Sequence, residues 1–423
     1  MRKSMKTKAE KSSNRNTAAL LRLAVDAVPA PVAGASLVLA LLAASVFAPS
    51  WIALISAASQ SAAPARFSLG GNAAEVPAEF VGNLVFLPVR VNDNPPLPFI
   101  LDTNALATAI APINASAATQ TSPAATLHLP GVDVPFSFLP VVERRDFGAE
   151  VGRRFEGALG DDFLARVVVE IDYSRQTVRF YDPAAYAYSG KGAKVPLAFL
   201  EGKPIVRAKF SGHRGPEEAD FEVATALDDA IVFSEPFADA HKLVSSRATA
   251  VSAFRPGWTD SPANALGRIK AFQLGPYAAQ ELLAVFSQKR AILQGHPNVA
   301  GFLGGGLLRR FTVIFDFPRQ QLILEPHFHI GDYDDADMSG LAIVARGSNL
   351  KTFEIAGVEP HSPAAEAGIQ KGDVIAGIDN EAAADLSLAG VRDLFHEPAH
   401  KYKLLVERNG RTLTIEIKTR RLI

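Results

Sequence analysis

A single carboxylate stands at the end of an apolar run in the first third of the chain. Residues 99–105 read Phe-Ile-Leu-Asp-Thr-Asn-Ala, so Asp102 follows three apolar residues and begins a short polar turn. A strand of this kind buries its apolar residues and presents the carboxylate at the turn, where it can take or give a proton. Surface Asp residues are common, so Asp102 is a candidate only because the flanking sequence occurs twice.

The clearest part of this internal repeat covers residues 157–183 and 301–326. Each copy begins with Gly-apolar-Leu-Gly and continues with a short helix closed by Arg. An alternating strand, a turn around Asp172 or Asp316 and a second strand follow. A match of this length predicts a duplicated domain.

The second copy also contains a counterpart of the Asp102 strand, in the expected place. Residues 221–227 repeat the apolar strand and its turn, with Ala224 at the position of Asp102 and Thr225 at that of Thr103. The sequence therefore predicts two equivalent turns, of which only the first carries a carboxylate.

Composition limits the class of protein. The 423 residues are 48% hydrophobic and include 26 Phe, which favours a folded, strand-rich chain with two or three domains. Lys and Arg (43) balance Asp and Glu (44), so no basic surface suggests a nucleic-acid partner. The absence of Cys excludes disulfides, zinc–thiolate sites and a Cys nucleophile. We expect no cofactor and no metal, because His327 and His329 share a strand face without a third ligand.

The amino terminus predicts export. Its first residues are rich in Lys and Arg, and no charge occurs between Asp26 and Arg66. A basic head before an apolar run is typical of a signal peptide or of an inner-membrane anchor, and residues 63–65 (Ala-Pro-Ala) offer a cleavage site. Residues 1–65 are therefore interpreted as signal or anchor, with cleavage left open, and residues 66–79 as a linker. The rest of the chain is expected to be periplasmic or extracellular.

A different pattern fills the C-terminal part of the chain. Residues 362–369 read Ser-Pro-Ala-Ala-Glu-Ala-Gly-Ile, and residues 372–375 read Gly-Asp-Val-Ile. Ser362 can cap a short helix and Gly368 can end it, after which the chain turns into a buried strand.

Taken together, residues 80–326 resemble the bacterial two-lobed, retropepsin-like or pepsin-like aspartyl proteases, and residues 338–423 resemble a PDZ domain. The resemblance implies a mainly β protein. It has a two-lobed, acid-protease-like β-barrel domain made by duplication, followed by a PDZ domain, an α+β fold built as a small β-sandwich. Lobe 1 is placed at residues 80–195, lobe 2 at 196–330 and an acidic linker at 331–337.

The resemblance also implies a chemistry. In this family two carboxylates face each other and share one proton, because like charges so close cannot both ionise. Asp102 matches the first carboxylate, and Thr103 and Thr225 match the threonines that join the two turns. Two positions depart from the family pattern, since Asn104 replaces a Gly and Ala224 replaces the second Asp. Asn is among the better non-Gly residues in a tight, left-handed backbone, so we expect the turn to tolerate it.

Two functions of different classes stay open. The first, which the missing carboxylate favours, is a pseudoprotease that binds polypeptide without cutting it. The alternative is an active periplasmic aspartic endopeptidase that uses Asp102 to activate water. Asp228 and Asp229 follow the second turn but are expected to lie past it, and pairing of Asp102 between two chains would require lobe 2 to swing away.

The resemblance to a PDZ domain implies a second binding site. Such a domain binds an extended peptide or a free C-terminus as a strand added to a sheet edge. Ser339, Gly340, Leu341 and Ala342 match its carboxylate-binding loop, and the helix at 388–395 would form the other wall. A purely structural role for this domain is the alternative.

Overall fold

The computed structural model describes residues 63–68, 71–110, 121–122, 124–141, 148–212, 215–243, 251–252, 265–286, 299–327 and 336–423. The predicted signal or anchor segment lies almost entirely outside these ranges. Among the residues described, no helix is both long and apolar enough to cross a membrane.

Lobe 1 consists of short strands and two single-turn helices. The strands are β1 (Arg66–Phe67), β2 (Ala73–Val76), β3 (Glu79–Val81), β4 (Leu84–Val91), β5 (Leu97–Leu101), β6 (Ala109–Ile110), β7 (Thr121–Ser122), β8 (Ala125–Leu129), β9 (Val132–Phe136), β10 (Leu139–Pro140), β11 (Gly157–Leu159), β12 (Val168–Asp172) and β13 (Thr177–Tyr181). The helices are α1 (Gly148–Val151) and α2 (Asp161–Leu164). Within the described ranges, the main sheet has the order β1-β9-β8-β4-β5-β11-β6, with β3 paired to β4.

Lobe 2 repeats this plan with longer strands. They are β14 (Ala193–Pro196), β15 (Ala198–Leu200), β16 (Lys203–Gly212), β17 (Gly215–Ala224), β18 (Ile231–Phe233), β19 (Val251–Ser252), β20 (Ala265–Leu274), β21 (Tyr277–Phe286), β22 (Val299–Gly304), β23 (Phe311–Asp316) and β24 (Gln321–Pro326). Its helices are α3 (Glu235–Ala240), α4 (Gly305–Leu308) and a 3-10 turn at Phe317–Arg319. An additional pairing of β16 with β20 closes its sheet into a barrel.

The strand pairings show the duplication directly. β5 is antiparallel to β4 and parallel to β11, and β17 is antiparallel to β16 and parallel to β22. The hairpin β8–β9 lies beside β4 just as the hairpin β20–β21 lies beside β16. The predicted fold class, a mainly β protein with a duplicated lobe, is confirmed.

A shared sheet joins the two copies. It has the order β14-β24-β23-β12-β13-β2, and its central strands β12 and β23 come from corresponding places in the repeat. Glu170 and Ile314 occupy the same position in the two copies and pair with each other. A pseudo-twofold axis therefore passes between these two residues.

Lobe 1 includes strands from earlier in the chain than the sequence analysis placed it. Part of the predicted linker at 66–79 forms strands, since β1 pairs with β9 and β2 pairs with β13. The hairpin β8–β9, which turns at Gly131, belongs to the body of the lobe. Ser68 donates its N–H to Gly131 O (3.0 Å), and the turn packs on Ala74. The hairpin is fixed in place because both of its strands alternate buried side chains with half-buried ones.

The C-terminal domain has its own sheet and core. Its strands are β25 (Leu341–Arg346), β26 (Thr352–Val358), β27 (Val374–Ile378), β28 (Glu381–Ala382), β29 (Lys401–Arg408) and β30 (Arg411–Lys418), and its helices are α5 (Pro363–Glu366), a 3-10 turn at Ala383–Asp385 and α6 (Leu388–Leu394). Ser362 Oγ caps α5 by accepting the N–H of Ala365 (3.2 Å), and Gly368 follows with φ +79. In the order β25-β26-β27-β29-β30, β25 lies at an edge.

The second glycine of each Gly-apolar-Leu-Gly motif allows close backbone packing. A Cβ on Gly304 would lie 2.4 Å from Asp229 O and 2.6 Å from Leu227 O. Gly304→Ala is therefore expected to lower the free energy of unfolding by about 3 kcal/mol, because backbone atoms cannot give way cheaply. Urea unfolding measures this loss. Gly71→Ala is the matched control, since its Cβ would come no closer than 3.5 Å to another residue. Equal losses in both variants would contradict the packing argument.

Candidate functional site

The two predicted turns meet where lobe 1 contacts lobe 2. β5 is held by burial of its apolar side chains, and Asp102 follows it directly and donates its N–H to Leu159 O of β11 (3.0 Å). In lobe 2, Ala224 ends β17 and pairs with Gly304 of β22. Each turn is thus supported from behind by the strand of a Gly-apolar-Leu-Gly motif.

Thr103 and Thr225 join the turns through a symmetric set of hydrogen bonds. Each backbone N–H donates to the other residue's Oγ1 at 3.1 Å. Thr103 Oγ1 donates to Val223 O and Thr225 Oγ1 donates to Leu101 O, both at 2.6 Å. Both threonines are buried, so each hydroxyl satisfies one donor and one acceptor of the opposite lobe. The structure brings these two residues together at the junction of the lobes.

The Asp102 carboxylate is buried at this junction. Only 3% of the residue is exposed, and Asn104 N–H donates to its Oδ1 (2.9 Å). Burial raises the pKa of Asp102 to about 6, against the lowering effect of the backbone N–H groups of Asn104 and Ala105 and of the Lys203 charge. The carboxyl group therefore holds a proton at mildly acidic pH.

Ala224 brings only a methyl group to the second turn. It is buried in an apolar cluster with Leu227, Val232, Val285 and Phe302. The Ala224 side chain itself can neither hold nor donate a proton. Apolar packing surrounds it at the second turn.

Asp228, the first of the two acids that follow the second turn, is hydrogen-bonded to lobe 1. Its Oδ1 accepts the backbone N–H of Asn83 (2.8 Å) and the Nδ2 of the same residue (2.9 Å). Asn83 lies in the turn between β3 and β4, so Asp228 fastens that turn to lobe 2. Asp229 receives Gly306 N–H at its backbone carbonyl (3.3 Å). Among the hydrogen bonds that the structure gives to the Asp102 carboxylate, none comes from another acid.

A buried polar group beside the turn was missed by the sequence analysis. Asn104 Nδ2 donates to Glu222 Oε2 (3.0 Å), and Lys203 Nζ lies 3.9 Å from the same oxygen. The side chains of Glu222 and Lys203 are 0% and 4% exposed. Asn104 is not in a left-handed backbone, contrary to expectation, and its amide connects the two lobes instead.

One signal could have revealed this cluster. Glu222 interrupts the apolar run of β17 two residues before Ala224, so it shares that residue's face of the strand. An acid in a strand that is otherwise buried requires a partner, and Lys203 at the start of the adjacent β16 was the available cation. The positive charge of Lys203 also acts on Asp102, whose pKa it lowers.

The sequence analysis considered His327 and His329 as metal ligands and expected no metal site. The structure describes only His327. His327 Nε2 lies 3.1 Å from Thr312 Oγ1 and 3.7 Å from Asp172 Oδ1, while His329 lies outside the described residues. Within those residues, no cluster of three or more His, Asp or Glu side chains could hold a metal ion.

The predicted carboxylate-binding loop of the C-terminal domain already holds a carboxylate. Asp337 Oδ1 accepts the N–H groups of Ser339 (3.0 Å) and Gly340 (2.7 Å). Leu341 N–H donates to Ser339 Oγ (3.1 Å). Burial raises the pKa of Asp337 above its ordinary value. Ala342 follows in β25, where it pairs with Gly357. Three of the four predicted loop residues thus use their N–H groups within the chain.

Comparison with known proteins identifies this domain. A family model described as PDZ domain matches residues 354–408, which begin in β26 and end with β29. The C-terminal domain is therefore a PDZ domain, and the loop at 339–342 precedes the matched range. A comparison with curated proteins gives no match.

Two solved structures are similar to parts of the chain. The photosystem II D1 C-terminal processing protease shares 31% identity over 20% of this chain and 23% of its own length, with a TM-score of 0.19. The aspartic proteinase from Irpex lacteus shares 12% identity over 61% of this chain and 98% of its own length, with a TM-score of 0.39. Neither similarity says anything about the chemistry of this chain.

Removing one hydroxyl of the threonine pair should weaken the junction of the lobes. Thr225→Val leaves Thr103 N–H and Leu101 O unpaired in a buried place, and we expect a loss of about 3 kcal/mol in the free energy of unfolding. Thr225→Ser keeps the hydroxyl and should lose less than half as much. Chemical denaturation of both variants measures the difference. A serine variant as unstable as the valine variant would mean that the hydrogen bonds contribute little.

The buried carboxyl group also predicts how stability depends on pH. The pKa of Asp102 is about 6 in the folded chain against 3.8 as the ordinary value, so the folded state retains a proton that the unfolded state has lost. This contribution is complete below the ordinary value and is lost as pH rises through the folded value. The stability of Asp102→Asn relative to the natural chain should therefore rise between about pH 4 and about pH 6, by roughly 3 kcal/mol in all, and stay constant above that range.

Thermal unfolding across that pH range, with the exposed Asp93→Asn as control, tests this expectation. The advantage of Asp102→Asn should grow from about pH 4 to about pH 6 and then level off, and this rise should exceed any change with pH in the control variant. An advantage of Asp102→Asn that is equal at every pH would refute the raised pKa.

Proposed function

We propose that this protein is an exported polypeptide-binding protein of the aspartyl-protease type, with impaired cleavage and a PDZ domain. The observation that carries the proposal is Ala224, whose buried methyl occupies the place of the second carboxylate. A shared proton requires two acids in contact, one ionised and one protonated, and the other buried acid beside this turn, Glu222, is bonded to Asn104.

The charge beside Asp102 supports the same conclusion. In a dyad, the negative charge of one carboxylate raises the pKa of the other and keeps the shared proton in place. Lys203 acts in the opposite direction here, because its positive charge lowers the pKa of Asp102. The buried Glu222 is bonded to Asn104, so it serves as the acceptor of an amide.

The features needed for binding polypeptide are retained. The threonine pair keeps the two lobes joined, and the PDZ domain offers an edge strand to which an extended peptide could add. A polypeptide, including one with a free C-terminus, is the proposed partner, and the balanced charge gives no support for nucleic acid.

The second candidate function is an active endopeptidase that relies on Asp102 alone. Its support is the pKa of Asp102, which burial raises to about 6. A protonated Asp102 could donate to a scissile carbonyl below that pH, whereas an ionised one could activate water above it. No single protonation state performs both tasks, so we rank this candidate second.

Export and membrane attachment belong to the proposal as well. The basic head and apolar run within residues 1–65 support translocation, with the binding domains in the periplasm or outside the cell. If the segment is not cleaved, it would anchor the protein in the inner membrane.

The test compares the natural chain with Asp102→Asn and Ala224→Asp, using fluorescently labelled, denatured casein as substrate. Cleavage is followed between about pH 3 and about pH 7, and binding is measured by fluorescence anisotropy. We expect binding without cleavage in the natural chain and in Asp102→Asn. Ala224→Asp should gain measurable cleavage at acidic pH, because it places two carboxylates on the junction.

Two outcomes would decide against the proposal. Cleavage by the natural chain that disappears in Asp102→Asn would establish an endopeptidase with one carboxylate. Failure of all three proteins to bind casein would remove the polypeptide-binding function. Ala224→Asp must be shown to fold, by circular dichroism, before its activity is interpreted.

A further inference from the structure

The peptide-binding edge of the PDZ domain is covered by lobe 1. Residues 148–154, here called the occluding segment, comprise α1 and the three residues after it, and α1 lies against β25. Arg154 donates from Nη1 to Ser348 O (3.2 Å) and from Nη2 to Gly347 O (3.5 Å), just beyond the end of β25. The segment is thus bonded to the backbone of the domain it covers.

The same segment touches the opposite wall of the groove. A Cβ on Gly152 would lie 2.8 Å from Leu388 Cβ, so the backbone there is against the first residue of α6. In the described residues, β25 has β26 as its only ladder partner, which leaves its outer edge available for an added strand. A peptide added to that edge would lie between β25 and α6. The occluding segment is in that space.

Two further contacts of this chain involve the same groove. Arg392 reaches from α6 to β25 and donates from Nη2 to Ile343 O (2.8 Å). At the end where a terminal carboxylate would bind, Asp337 accepts the N–H groups of Ser339 and Gly340. An incoming peptide must therefore displace groups of this chain at both ends of the groove.

We propose that residues 148–154 are an internal ligand of the PDZ groove, which holds the domain closed until an extended polypeptide displaces them. The proposal that a polypeptide displaces the segment rests on the proposed polypeptide-binding function. The proposal that the segment occupies the groove does not depend on that function. The partner is a polypeptide that supplies a β-strand to β25.

The position of the occluding segment connects the groove to the junction of the lobes. Phe155 follows it directly and packs on Phe86, with ring centroids 5.7 Å apart. Glu156 N–H donates to Pro98 O (2.7 Å), and Leu159 O holds Asp102 N–H. Displacement of the segment would therefore be transmitted to β11, the strand that supports the Asp102 turn.

A disulfide tests whether the contact exists in solution, and the chain has no cysteine to interfere. Gly152→Cys with Leu388→Cys should cross-link rapidly under mild oxidation in the full chain, because disulfides form across Cβ separations of about 4 Å. Arg153→Cys with Leu388→Cys is the control, since Arg153 faces Glu79 within lobe 1 (2.8 Å). Non-reducing electrophoresis measures the cross-linked fraction.

Hydrogen exchange gives a second measurement, because Gly152 has φ +79 and Cys is strained there. Arg154→Ala removes the bonds to Gly347 and Ser348 and should speed amide exchange in β25 by about tenfold. Arg153→Ala is the matched control and should leave that exchange unchanged. Equal exchange in both variants, together with equal cross-linking in both cysteine pairs, would overturn the occupied groove.

Binding of labelled, denatured casein separates this inference from the proposed function. Oxidation of the Gly152–Leu388 cysteine pair should weaken binding at least threefold, and reduction should restore it. Binding that is the same before and after reduction would overturn the internal ligand and leave the proposed function standing. If casein binds to no variant while cross-linking and exchange behave as expected, the proposed function fails and the occupied groove is supported.

Discussion

The two lobes depend on the reciprocal hydrogen bonds between Thr103 and Thr225. Each hydroxyl accepts a backbone N–H from the other lobe and donates to a backbone carbonyl there, so four buried backbone groups are satisfied by two side chains. An unpaired group in such a place is costly, which makes this junction intolerant of change. The pair explains how the two lobes stay joined although Ala224 brings no carboxylate to the second turn.

The buried acids at the junction of the lobes lie close to a cation and an amide. A carboxylate dyad must keep two like charges apart, and it does so by sharing a proton. Here Asp102 lies near Lys203, and Glu222 lies near Lys203 and Asn104, so opposite charges and an amide are buried together. Burying two opposite charges costs desolvation free energy. Removing one partner of such a pair is also destabilising, because it leaves the other charge buried without compensation. The cluster therefore favours a fixed local geometry.

Much of this architecture could be predicted from the sequence because it depends on local patterns. The repeated Gly-apolar-Leu-Gly motif and the alternating strands after it have a recognisable period, and Ala224 followed from aligning the copies. Glu222 and Lys203 were not predicted as a pair. They lie on different strands, and an acid in a strand does not by itself indicate which cation will pair with it. Asp337 was assigned to an acidic linker, because composition alone does not indicate from which N–H groups a carboxylate will accept hydrogen bonds.

The pairing of Glu170 with Ile314 on the pseudo-twofold axis has an evolutionary consequence. In a dimer of identical lobes, the residue on the axis would meet its own copy, and a mutation of the acid in one gene would remove both carboxylates at once. A chain that contains both lobes is free of that restriction, so each half can accumulate its own substitutions. Asp102 in one turn together with Ala224 in the other is a combination that two identical chains could not carry.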